Sequence, residues 1–110
     1  MNKIHIIRNE DVNRVLVGVP KGHKHRRICI ALQSGLSLIF QEATIANILR
    51  VYTTIKTHPS IRAQKLQIQT LSTDQRKEGY AIHQLIETPT TSEEIETELK
   101  ELLEKSELLP

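Results

Sequence analysis

The sequence predicts an α+β fold, in which a mainly antiparallel sheet of about six strands carries two helices. Three observations predict it: four segments of alternating apolar pattern come first, a segment of helical periodicity follows, and two alternating segments precede an acidic helical one. The predicted element order is therefore β-β-β-β-α-β-β-α, with the first helix packed on one face of the sheet. A small, partly closed barrel with a helical cap is the alternative architecture.

The first two strands are predicted to pair as an antiparallel hairpin. Lys3–Arg8 alternates, and the Asn-Glu-Asp sequence at 9–11 has the side chains of a turn. The next segment places Leu16 on one face, and on the other face it places Val15, Val17 and Val19. Pro20 ends this strand because it has no N–H group to donate to a neighbouring strand.

The third and fourth strands form a second predicted hairpin. One strand places Ile28, Ile30 and Leu32 on a single face, and the other does the same with Leu36, Leu38 and Phe40. Between them, Ser34-Gly35 has the length of a two-residue primed turn, in which glycine adopts a positive φ at little cost.

The first helix is predicted from the stripe formed by Ile45, Ile48, Leu49, Tyr52 and Ile55. Glu42 in its first turn and Lys56 in its last turn suit the helix dipole, and Pro59 cannot continue the helix. The same pattern predicts that Tyr52 and Phe40 belong to the core.

The last three elements are two strands and a helix. The strands carry Leu66 with Ile68, and Tyr80 with Ile82 and Ile86. The helix is predicted over about Ser92 to Lys105, because Thr91 and Glu94 have the spacing of a capping box. Its apolar stripe consists of Ile95, Leu99 and Leu102, and its other faces are acidic.

Charge is distributed very unevenly along the chain. Residues 1–86 hold thirteen Lys or Arg against five Asp or Glu, whereas residues 87–110 hold two Lys against eight Glu. This asymmetry predicts a basic α+β body, 1–87, and an acidic C-terminal linker and helix, 88–110, which is part of the same domain or an oligomerisation element. Three interpretations of the acidic segment stay open: it screens the basic surface, it pairs with a partner helix, or it is a solvated cap.

The basic body contains one segment rich in glycine, histidine and positive charge, between two apolar strands. Its candidate anion-binding residues are Lys21, Gly22, His23, Lys24, His25, Arg26 and Arg27. The cationic side chains suit phosphate, and glycine lets the backbone approach a ligand closely. The alternative is a solvated turn whose charges keep a sheet edge from pairing.

These features predict a homodimer that binds nucleic acid or another polyanion. Aromatic residues are scarce, so binding is expected to follow the phosphate backbone rather than stack the bases. Imidazoles ordinarily gain charge below about pH 6.5, so binding is expected to strengthen on mild acidification. The competing hypothesis is an interaction or assembly protein that acts through its amphipathic helices, with no role for nucleic acid.

Catalysis and cofactor binding have little support in the sequence. His23 and His25 form a His-x-His pair of the kind that supplies two metal ligands, but neighbouring lysines and arginines oppose a cation. No nucleophile, phosphate-loop or zinc motif is present, so we expect no cofactor and no metal, and favour a binding protein over an enzyme. A metal-dependent enzyme is the third and least favoured alternative. Cys29, the only cysteine, is predicted to be a small strand residue rather than a reactive thiol. The absence of a signal-like or membrane-spanning apolar run predicts a cytoplasmic protein without membrane association.

Overall fold

The computed structural model describes residues 3–74 and 81–107. It confirms the mixed α+β class. The elements, in chain order, are a 3-10 turn Asn9–Asp11, β1 Val12–Gly18, β2 Arg27–Leu32, β3 Ser37–Gln41, α1 Glu42–Thr57, β4 Leu66–Thr70, β5 His83–Glu87 and α2 Ser92–Glu107.

The five strands of the described ranges form two antiparallel sheets, so the prediction of about six strands in one sheet is wrong. One sheet has the order β1-β2-β3 and the other consists of β4 and β5. The predicted strand Lys3–Arg8 is not one, and the predicted hairpin between the first two strands is therefore absent from the described residues. Instead, Arg8 leads into the 3-10 turn, which the Asp11 N–H closes by donating to the Arg8 carbonyl at 3.0 Å. An alternating pattern predicts which side chains share a face of a strand, but it does not predict which other strand will pair with it.

The three-stranded sheet places on each face the side chains that the alternating pattern groups together. Register places Val15 opposite Ile30 and Val17 opposite Ile28, and β3 extends both rows with Leu38 and Phe40. These six residues form what we call the apolar face. The opposite face carries a row made of Leu16, Cys29 and Ile39.

The turn between β2 and β3 is not the predicted two-residue primed turn. Among the described residues, only Gly22 and Gly35 have a positive φ, and that of Gly35 is 96°. The Gly35 N–H donates to the Leu32 carbonyl at 3.0 Å, and the Leu32 N–H donates to the Leu36 carbonyl at 2.8 Å. This is a three-residue turn with a glycine bulge, which spares Ser34 the left-handed conformation that a primed type I turn would impose on it.

Both helices form where the sequence predicts them. α1 begins with Glu42 and carries Lys56 in its last turn. Tyr52, however, is 56% exposed, so its assignment to the core is wrong. The predicted capping box of α2 is confirmed, since the Glu94 N–H donates to Thr91 Oγ1 and the Thr91 N–H to Glu94 Oε2, both at 3.2 Å.

The described residues divide into two compact units. The first unit comprises 3–49 and 102–107, and the second comprises 50–74 and 81–101. Buried apolar side chains are few: Ala31 and Leu32 in the first unit, and Ala63 and Ile95 in the second, are those of the described residues. The division into a basic body and an acidic segment at 87/88, and the packing of a helix on a sheet face, stay predictions.

Candidate polyanion-binding loop

All seven candidate residues lie together in the first unit, in what we call the basic loop, Lys21–Arg27. It joins β1 to β2, and Arg27 is the first residue of β2. The His23 N–H donates to the Pro20 carbonyl at 2.9 Å, and Gly22 has a φ of 86° at the third position of this turn. That combination is typical of a type II turn, whose third position favours glycine. Gly22 therefore sets the path of the loop.

The middle of the basic loop is charged and open to solvent. The side chains of Lys21, His23 and Lys24 are exposed. None of the three forms an ion pair with a residue of the described ranges. A polyanion can therefore reach these groups without first displacing a carboxylate from them.

The end of the basic loop is held by one carboxylate. Arg26 Nη1 donates to Glu42 Oε1 at 2.8 Å, and His25 Nδ1 lies 3.4 Å from Glu42 Oε2. The hydrogen bond from Arg26 is the main reason that the pKa of Glu42 lies below its usual value. Partial burial opposes the shift, whereas the Arg26 charge and the hydrogen bond to His25 support it. Glu42 is thus ionised at neutral pH and neutralises part of the loop.

Arg27 is oriented by the backbone of its own loop. It is half-buried, and Nη1 donates to the carbonyl oxygens of His25 and Arg26 at 3.4 and 3.3 Å. A guanidinium has five N–H donors, so these bonds leave others able to contact an anion.

The sequence placed Glu42 in the first turn of α1, where a negative charge suits the helix dipole, but it did not predict the contact of Glu42 with the loop. The signal was the register of the hairpin: Arg27 pairs with Gln41, so the residues one step further out are Arg26 and Glu42. A turn placed correctly near Ser34 therefore predicts this ion pair.

Other cations of the basic body are paired with the acidic part of the chain, within the second unit. Arg50 pairs with Glu87, Arg62 Nε donates to Glu96 Oε1 at 2.9 Å, and Lys65 Nζ donates to Glu98 Oε2 at 3.4 Å. These three cations are therefore neutralised locally, whereas Lys21, His23 and Lys24 of the basic loop have no ion pair with a described residue. Arg76 and Lys77, which the sequence also offers, lie outside the described residues.

The His-x-His pair does not form the strand-borne metal site that its spacing suggested. His23 and His25 lie in the loop rather than on a strand. Within residues 3–74 and 81–107, no group of three or more His, Cys, Asp or Glu side chains is placed to hold a metal ion.

Comparison with known proteins adds no relative: the chain matches no protein-family model, no curated protein and no solved structure. Of the helices in the described ranges, none has both the length and the apolar character that crossing a membrane requires.

Proposed function

We propose that this protein binds nucleic acid or another polyanion through the basic loop. One observation carries the proposal: Lys21, His23 and Lys24 project into solvent without a carboxylate partner among the described residues, whereas Arg50, Arg62 and Lys65 are each paired with a glutamate. Arg26 and Arg27 extend the cluster. Arg26 donates to Glu42, and Arg27 donates to the His25 carbonyl. Phosphate is the ligand chemistry that such a group of cations recognises.

The mode of binding follows from the composition of the loop. Phe40, in the same unit, belongs to the apolar face of the sheet and not to the loop. The basic loop itself contains no Phe, Tyr or Trp, so we expect its cationic side chains to contact mainly the phosphate backbone, with little base specificity. Such binding weakens steeply as salt rises, because each phosphate contact releases a counterion.

The experiment is fluorescence anisotropy with labelled generic duplex DNA and single-stranded RNA, at low and near-physiological salt. Wild type is compared with a variant in which Lys21, Lys24, Arg26 and Arg27 are replaced by alanine. A second variant, Lys100→Ala with Lys105→Ala, is the control, because it removes exposed lysines from α2 without touching the loop.

The proposal expects salt-sensitive binding that the loop variant loses and the control retains. Absence of binding by folded wild type at low salt would overturn it. The control removes two positive charges and the loop variant four. A loss of log affinity in the control about half as large as that in the loop variant would therefore also overturn the proposal, because the effect would then reflect net charge rather than the loop.

A second candidate function, assembly with protein partners, is favoured by a different observation. Along the stripe of α2, Leu99, Leu102 and Leu103 are 52%, 41% and 51% exposed. Exposed apolar stripes of this kind bind partner helices. Salt separates the two functions, since an apolar interface depends on ionic strength much less than phosphate binding does.

A further inference from the structure

Strand β1 is an edge strand whose central residues carry none of the features that ordinarily protect such an edge. The sheet order β1-β2-β3 leaves one side of β1 unpaired within the described residues. Edge strands in soluble proteins are ordinarily guarded by charges, prolines or bulges. Here the centre of the strand is the apolar run Val15–Leu16–Val17, which has none of these.

The side chains of this run are open to solvent on both faces of the sheet. Val15 and Val17, on the apolar face, are 51% and 67% exposed, and Leu16, on the opposite face, is 55% exposed. A strand that paired with β1 would cover apolar area on both faces and satisfy the outward backbone groups together.

The strand is self-complementary about Leu16. If two copies pair antiparallel with Leu16 opposite Leu16, then Val15 lies opposite Val17 and Arg14 lies opposite Gly18. Apolar side chains then meet apolar side chains, and the long side chain of Arg14 meets a residue without one. Centring the pair on Val15 instead would set Leu16 against Arg14 and Val17 against Asn13.

The regular part of β1 has the same centre. A register shift between Val12 and Arg14 interrupts the ladder at one end, and β1 ends at Gly18 shortly before Pro20. The uninterrupted stretch is therefore residues 14–18, and its midpoint is Leu16. Side-chain pairing disfavours centring on Val15, and the uninterrupted stretch of the ladder has its midpoint at Leu16, so the two observations together favour this register.

We propose that β1 pairs antiparallel with β1 of a second copy of this chain, centred on Leu16, and joins two three-stranded sheets into one sheet of six strands. The interface is isologous, so the same five residues of each copy form it. It goes beyond polyanion binding and does not depend on it.

The first test introduces charge repulsion at the centre of the paired β1 strands. Leu16→Lys places two like charges directly opposite each other, which disfavours the pairing. Ile39→Lys is the matched control, because Ile39 lies on the same face of the same sheet, is 70% exposed and belongs to β3 at the other edge. Molar mass is measured by light scattering during size-exclusion chromatography.

We expect wild type and Ile39→Lys to be dimers and Leu16→Lys to be a folded monomer by circular dichroism. A mixture of Leu16→Lys and Leu16→Glu should form a heterodimer, because the opposed charges then attract. Wild type that stays monomeric, or a Leu16→Lys variant that still dimerises, would overturn the proposal.

The second test determines the register and does not require a destabilising substitution. In a Cys29→Ser background, Leu16→Cys puts two thiols opposite each other, at a Cα separation of about 4.5–5.5 Å that suits a disulfide. Mild oxidation should link Leu16→Cys into a covalent dimer within minutes and leave Ile39→Cys largely unlinked. Linking by Ile39→Cys in preference to Leu16→Cys would show that another edge forms the interface.

Discussion

Glu42 limits how many cations the basic loop can offer to a polyanion, and its substitution by glutamine tests this directly. Glu42→Gln removes the charge that holds Arg26 at 2.8 Å and keeps the size of the side chain. Arg26, which is 67% exposed, is then able to turn toward a phosphate. We expect the variant to bind generic duplex DNA more tightly than wild type at low salt.

The magnitude follows from counting the available cations. Lys21, Lys24 and Arg27 give three contacts in wild type, and freeing Arg26 gives a fourth. Each contact contributes about −0.9 to the slope of log K against log salt, so the slope should steepen from about −2.7 to about −3.6. Between 50 and 200 mM salt, affinity should therefore fall roughly 40-fold in wild type and roughly 150-fold in the variant.

The assay is anisotropy with one duplex over this salt range, and Glu96→Gln is the matched control. Glu96 holds Arg62 at 2.9 Å in the second unit, so the same chemical change frees a cation that the proposal does not place at the binding site. An unchanged slope for Glu42→Gln would refute the role of Arg26. An equal change in both variants would show that net charge, and not the loop, determines affinity.

Single contacts give three further predictions. Arg26→Gln should raise the pKa of Glu42 toward its usual value, which an NMR titration of the carboxyl would show. The lowered pKa stabilises the fold above the unfolded-state pKa and stops doing so as pH falls through the folded value, so this variant should lose less stability than wild type on acidification. Thr91→Ala should lower the free energy of unfolding by about 1 kcal/mol in urea denaturation, because it removes the cap of α2; no change would contradict the cap. Gly35→Ala should cost roughly 1–2 kcal/mol through backbone strain alone, since no heavy atom beyond its two chain neighbours lies within 4 Å of the added methyl group. Gly18→Ala has equal space and no positive φ, so an equal cost there would contradict that reason.

Local pattern predicted the elements of this fold better than their pairing. The faces of β1, β2 and β3 follow from alternation, because side chains on a strand repeat with a period of two whatever the neighbour is. The predictions of a strand at Lys3–Arg8 and of a single sheet were wrong because they depend on strand pairing. Whether a strand finds a partner depends on residues far along the chain, and nothing in its own alternation specifies them.

In the candidate site, too, contacts between residues close in sequence could be predicted, whereas contacts between distant residues could not. Pro20 and Gly22 predict a turn, and a correctly placed hairpin turn predicts that Arg26 faces Glu42. The pairs that neutralise Arg62 and Lys65 join residues more than thirty positions apart. Charge counting left open whether the acidic segment screens the basic surface, and the folded second unit shows that Arg62 and Lys65 are cations it neutralises.

The two proposals together place a pair of basic loops on one dimer, and this arrangement has a measurable consequence. With β1 pairing centred on Leu16, the two Val19 residues, each two positions before a basic loop, lie six strand positions apart, which is roughly 20 Å. A duplex stem of five base pairs is about 17 Å long at 3.4 Å per base pair, which is shorter than this separation, whereas a stem of sixteen base pairs is about 54 Å long and exceeds it. Linked sites gain avidity only when one ligand reaches both. The ratio of affinities for the sixteen-pair and five-pair stems should therefore be larger for wild type than for monomeric Leu16→Lys. Comparing a ratio within each protein removes the effect of the added lysine charge, so equal ratios would contradict the joint arrangement even if dimer formation and loop binding each hold.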